Sequence, residues 1–145
     1  MFNLLLDLVK SLFSYITRRT VGSLKVKVQN ARVVGEQKEP GLAITVTVEN
    51  PQSQNGFVEK FEVIMLAPFQ DSAVTYEFRR AGAEGNIERL PINILGHGIS
   101  NALVVIAHFK NDMSSYDKKY RAKIAAIGRT GFRRRYTDFG GDCPW

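Results

Sequence analysis

SLKVKVQNARVVGEQKEPGLAITVTVENP, from Ser23 to Pro51, is the stretch whose pattern decides the fold class. Leu24, Val26 and Val28 alternate with Lys25, Lys27 and Gln29. A period of two is that of a strand with one face buried and the other in water. After a turn-rich stretch from Gly35 to Gly41, Leu42, Ile44, Val46 and Val48 alternate with Ala43, Thr45, Thr47 and Glu49. Asn50-Pro51 ends that second strand.

The alternation recurs downstream. FVEKFEVIML (57–66) places Phe61, Val63 and Met65 on one face, and Pro68 closes it. AVTYEFRR (73–80) sets Val74, Tyr76 and Phe78 against Thr75, Glu77 and Arg79, and the loop AGAEGN follows. IERLPINIL (87–95) is a fifth strand in which Pro91, having no amide donor, must sit at an edge or at the strand's start. ALVVIAHF (102–109) is apolar along nearly its whole length, as in a strand at the centre of a sheet or covered on both sides. KYRAKIAAI (119–127) supplies the seventh strand, with Tyr120 and Ile124 inward, although its alanines and lysines leave helix as an alternative. Seven short strands separated by turn signals predict a mainly β fold, an antiparallel sandwich of about seven strands with immunoglobulin-like or fibronectin-like connections, over residues 23–128. The lack of a cysteine pair excludes an antibody-type domain.

Ahead of the sandwich the periodicity is helical. In MFNLLLDLVKSLFSYITRR (1–19) the polar residues Asn3, Asp7, Lys10, Ser11, Ser14 and Thr17 draw one stripe. The remainder, including Phe2, Leu5, Leu6, Val9, Leu12, Phe13 and Ile16, forms an apolar face covering more than half the circumference. Sixteen helical residues would be about 24 Å long, shorter than the hydrocarbon core of roughly 30 Å, and Asp7 and Lys10 lie among them. A docking helix is therefore expected, not a spanning one. Interfacial helices usually carry cations on the polar face. This stripe carries only Lys10, which favours a protein partner or self-association over an anionic membrane surface.

The other end breaks the strand pattern. RTGFRRRYTDFGGDCPW (129–145) is expected to be a basic and aromatic tail outside the core. Within residues 118–135, eight cations gather: Lys118, Lys119, Arg121, Lys123, Arg129, Arg133, Arg134 and Arg135. Phe132, Tyr136 and Phe139 are interleaved or adjacent. Phosphate contacts together with base stacking would use such a set, as would anionic headgroups. Lys118, Lys119, Arg121, Arg133, Arg134 and Arg135 are the candidate anion-binding residues. A solvated charged face is the plainer reading, and no RNA-binding or helix-turn-helix signature accompanies the run.

The chain's totals agree with one domain of ordinary composition. It has 145 residues, 44% of them hydrophobic and 23% charged, with a net charge of +6. Its basic balance bears on association with acidic partners and not on fold. Cys143 is the only cysteine, so neither a disulfide framework nor a cysteine-rich zinc site is available. Nothing resembles a secretory leader, and a cytoplasmic protein beginning at Met1 is expected.

Catalytic motifs are lacking. GHG (96–98) reads as a turn in which glycine supplies a positive φ and His97 is solvated. His97 and His108 have no clustered Cys, Asp or Glu at ligand spacing, so no metal site is expected. Neither a phosphate loop nor a G-x-S-x-G elbow occurs, and no cofactor or nucleophile is expected.

SLKVKVQNARVV, GLAITVTVENP and LPINILGHGIS, following a short apolar helix and basic residues, resemble a group of small uncharacterised bacterial proteins with one immunoglobulin-like sandwich. The likeness covers roughly residues 1–110 and implies a fold but no site residues. The function expected is a non-enzymatic binding or scaffolding module whose N-terminal helix docks on a protein partner or a membrane surface. The alternative is a nucleic-acid-associated or virion structural protein using the basic C-terminal region.

Overall fold

The computed structural model describes residues 5–9, 24–82, 86–113, 118–128 and 134–145. It is mainly β, with antiparallel sheets packed as a sandwich and one short helical turn at 5–9. β1 (Lys25–Gly35) and β2 (Pro40–Glu49) pair through Val26↔Val48 and Val28↔Val46. The register then shifts past Gln29, so that Ala31 and Val33 oppose Ile44 and Leu42. This bulge restores inward pointing to a strand whose alternation had slipped by one residue, and β1 therefore runs six residues beyond the stretch that alternates in sequence.

Nine further strands follow: β3 (Gly56–Val58), β4 (Lys60–Ala67), β5 (Asp71–Thr75), β6 (Glu77–Arg80), β7 (Ile87–Arg89), β8 (Ile92–Ile94), β9 (Leu103–His108), β10 (Lys119–Ile127) and β11 (Thr137–Asp142). They form a five-stranded sheet in the order β1-β2-β9-β6-β7, a four-stranded sheet in the order β11-β10-β4-β5, and a β3-β8 ribbon. The core lies between the two large sheets. Leu42, Ile44, Val46 and Val48 meet Phe61, Val63, Met65 and Ile124, all of them fully buried.

Three of the seven expected strands divide. The stretch at 57–66 breaks at Glu59, whose N–H donates to the Ile127 carbonyl (2.8 Å), so β3 pairs with β8 while β4 joins the four-stranded sheet. That at 87–95 breaks at Pro91, which cannot donate to a ladder. That at 73–80 breaks at Tyr76, where the chain leaves one sheet for the other. Crossing there reverses which side faces inward. Phe78 is buried as expected, but Val74 and Tyr76 are exposed. β9 is the central strand of its sheet, and 119–127 is strand, not helix.

Residues 129–145 were expected to lie outside the core, and that is corrected for their second half. Thr137–Asp142 pairs with β10 along six residues, from Ile124↔Thr137 to Lys119↔Asp142. Tyr120 packs against both glycines of this strand, and a Cβ on Gly140 would stand 2.7 Å from its carbonyl oxygen. A Cβ on Gly141 would stand 3.0 Å from Tyr120 Cε1 and Oη, so a larger residue there would have to push the ring aside. Phe139 meets the same ring edge-on at 6.3 Å.

The Tyr120 hydroxyl is buried and has no hydrogen-bond partner among the described residues. Burial, with Cys143 and Asp142 nearby, pushes it above its ordinary value of 10.0. Tyr120→Phe removes that unpaired group and is expected to leave stability within about 1 kcal/mol of wild type, or to raise it. The folded wild-type chain holds this proton more tightly than the unfolded chain does. Its stability therefore falls as pH rises above about 10, and the phenylalanine variant lacks that contribution. Denaturant titrations of both proteins across that range test this; a loss of several kcal/mol at neutral pH would show that the hydroxyl is paired.

Candidate interaction surfaces

In the N-terminal turn, Leu5, Leu6, Leu8 and Val9 are exposed, at 48% to 69%. None of the four belongs to the buried core, whose first member among the described residues is Leu24. Phe2, Leu12, Phe13 and Ile16 lie outside the described residues.

Leu24 marks the end of the sandwich at which the chain enters. Its Cδ2 would be 3.2 Å from a Cβ on Gly56, at the start of β3. A Cβ on Gly128, just past β10, would stand 2.5 Å from the Phe57 carbonyl oxygen. The β3-β8 ribbon therefore lies across the end where β10 finishes and β1 begins. Val58 and Ile94 point into the core, leaving Phe57 (48% exposed) and Leu95 (64%) on the ribbon's outer side. Ile99 (64% exposed) follows the Leu95–Gly98 turn, and with Leu95 it flanks a shallow groove of about 250 Å³.

Asn50 organises this end. It is 1% exposed; its Nδ2 donates to the carbonyls of Gln54 (2.8 Å) and Ile94 (3.0 Å), and its Oδ1 accepts from the Gln52 N–H (3.0 Å). Its own N–H donates to the Gly98 carbonyl (2.9 Å). The His97 N–H donates to Gln52 (2.7 Å), and the Gly96 N–H to Asn55 Oδ1 (3.0 Å). A Cβ on Gly96 would fall 2.1 Å from the Ser53 carbonyl oxygen, so the two loops touch where only glycine fits. The turn expected at 96–98 is present, but the positive φ (55°) belongs to His97 and not to its glycines.

His97 precedes β9 and His108 ends it, so about 20 Å of strand separates them. Among the described residues no group of three or more His, Cys, Asp or Glu side chains is placed to hold a metal ion. Likewise among these residues, no helix is long and apolar enough to cross a membrane.

The basic region is less free than its charge count implied. Lys119, Arg121 and Lys123 stand on the outer face of β10, but their neighbours across β11 are Asp142, Gly140 and Asp138. Arg134 is engaged by the buried Glu62 carboxylate of β4, which also accepts from the Tyr136 hydroxyl (2.6 Å). Burial first, and then that hydrogen bond to Glu62, push the Tyr136 hydroxyl above its ordinary range. Lys123 Nζ lies 4.5 Å from the Tyr136 ring centre, and Thr137 Oγ1 donates to the Val26 carbonyl (2.6 Å). Arg134 and Tyr136 thus bind the C-terminal segment to its own sheet. Lys118 and Arg135 are exposed, and Arg133 is outside the described residues. The tools of sequence pattern missed Asn50 and Glu62, whose partners are mostly far along the chain.

No family model matches the chain, and no curated protein matches it in sequence. Among solved structures it is similar to a solution structure described as a candidate late embryogenesis abundant (LEA) protein. That pair is 16% identical, with 99% of this chain and 83% of the other covered, at a TM-score of 0.52. A Northeast Structural Genomics Consortium target is 12% identical over 84% of this chain and 88% of its own, at 0.48. A protein from Archaeoglobus fulgidus is 11% identical over 81% and 94%, at 0.45. The first likeness shows the LEA-like β fold, and the fold alone.

Proposed function

We propose that this protein is a non-enzymatic binding or scaffolding module, docked on a protein partner or a membrane surface through its N-terminal apolar segment. The observation that carries this reading is the exposure of Leu5, Leu6, Leu8 and Val9, none of which enters the buried core. Each such side chain contributes about 1.5 to 3 kcal/mol when buried, so a few of them suffice to hold a domain on a surface. Deleting residues 1–19 tests the reading. The truncated chain is expected to unfold cooperatively, with a midpoint within about 3 °C of the full chain, and to be monomeric or unanchored. Loss of cooperative unfolding would place the segment in the core and overturn the proposal.

The nucleic-acid reading draws on Lys119, Arg121 and Lys123 sharing one face of β10. Asp138 and Asp142 opposite them, and the commitment of Arg134 to Glu62, weigh against it.

A further inference from the structure

We infer that β11 is an exchangeable strap: it leaves the sandwich while the other strands stay folded, and the edge of β10 that it uncovers accepts an extended acidic strand of another protein in its place. The chemistry of the occupant is visible, because the chain's own strand fills the site. Asp142 stands opposite Lys119 and Asp138 opposite Lys123, with Gly140 opposite Arg121 between them. β10 thus meets two carboxylates four residues apart, on the face where its three outward cations stand. On the inner face Gly141 passes over the Tyr120 ring, and the Cys143 N–H continues the ladder to the Lys118 carbonyl (2.8 Å). Main-chain bonds that give affinity, with alternate side chains that give specificity, are the means by which a sheet edge takes up a foreign strand.

Three features let this strand leave alone. None of its six residues is fully buried, whereas Tyr120, Ala122, Ile124, Ala125 and Ala126 of β10 are. Phe139, Cys143 and Trp145 pack against the core but stay partly exposed. Adjacent glycines weaken the strand, since glycine loses the most backbone freedom on being fixed. The closed strap also seals the Tyr120 hydroxyl from water with no hydrogen-bond partner among the described residues, and opening reverses that cost. The catch that holds it shut is polar and gathered at its N-terminal end: Arg134 and Tyr136 on Glu62, and Thr137 Oγ1 on the Val26 carbonyl (2.6 Å). Local opening of such an edge element does not require the core to unfold. None of this depends on the N-terminal segment, so failure of the strap leaves the anchor reading untouched.

Hydrogen exchange and peptide binding on the full-length chain test the inference. In wild type the amides of Thr137–Asp142 are expected to exchange at least about a hundredfold faster than those of β2 and β4. Tyr120→Phe is expected to slow them severalfold, because the closed strap no longer buries an unpaired hydroxyl. A fluorescent peptide of residues 137–145 with Cys143→Ser lacks Arg134 and Tyr136, so its binding does not itself need Glu62. It is expected to bind the Glu62→Ala chain at least about tenfold more tightly than wild type, since apparent affinity follows the open fraction. The same peptide with Asp138→Lys and Asp142→Lys is expected to bind at least about fivefold more weakly, and to recover on a Glu62→Ala, Lys119→Asp, Lys123→Asp chain. Should Glu62→Ala fail to fold, Thr137→Val loosens the same catch from the strap's own side. Exchange in β11 no faster than in β2 and β4 overturns the strap. Fast exchange there, with a peptide that binds wild type and Glu62→Ala equally, binds neither, or ignores its own charge reversal, overturns the acceptor edge.

Discussion

Asn50→Ala is expected to lower the stability of the sandwich by about 3 kcal/mol, because it removes three hydrogen bonds at roughly 1 kcal/mol each from a buried or partly buried site. The carbonyls of Gln54 and Ile94 and the N–H of Gln52 lose their partner together. For a domain of this size that corresponds to a fall of about 10 °C in midpoint. Asn50→Asp sharpens the test. Its carboxylate would face two carbonyl oxygens where Nδ2 now donates, so at neutral pH it should be no better than alanine, and it should regain stability on acidification as the carboxyl becomes a donor. A denaturant titration in which alanine costs well under 1 kcal/mol would mean that the loops are not held through Asn50.

Glu62→Ala is the second large effect, expected to cost about 2 kcal/mol and to act chiefly on the C-terminal strand. Glu62 sits on β4 opposite Ala125 of β10, and Arg134 and Tyr136 fold back over both. Without the carboxylate, the Tyr136 hydroxyl loses its acceptor and a small void opens beneath the ring. Arg134 is half-exposed and can return to water, which keeps the loss below that of a fully buried ion pair. Hydrogen exchange should therefore accelerate at the amides of Thr137–Asp142 well before it does so in β2 or β4. Uniform acceleration through the whole sandwich would instead show that β11 and the core unfold as one unit.

These two residues show where reading by pattern stops. Leu42 to Val48, Phe61 to Met65 and Tyr120 to Ile124 were legible because their alternation is a local property, and each such run came out as a strand with the expected face inward. The same rule failed at Tyr76, where alternation continues in sequence while the chain crosses between sheets and turns its apolar side outward. It failed again at TDFGGD, since two glycines and two aspartates carry no strand signal. Their reasons lie across the ladder: the Tyr120 carbonyl against Gly140, its ring against Gly141, and Lys123 and Lys119 opposite Asp138 and Asp142. The count of eight cations was correct as arithmetic, yet it could not see Asp138, Asp142 and Glu62 placed against them. Asn50 looked like a strand terminator, and it is one. That it also ties two loops together depends on Ile94, 44 residues away.

The amino-acid sequence by itself determined the mainly β class, the antiparallel sandwich and most inward-facing residues, because side-chain period and turn chemistry act over a few neighbouring residues. It also marked residues 1–19 as an apolar segment with one polar stripe. Tertiary structure alone decided which strands pair, where the chain changes sheets, that 137–142 belongs to a sheet, and that Phe57, Leu95 and Ile99 share the end at which that segment joins the domain. Those outcomes rest on contacts between residues tens of positions apart, where the free energy lies in the pairing and not in either residue alone.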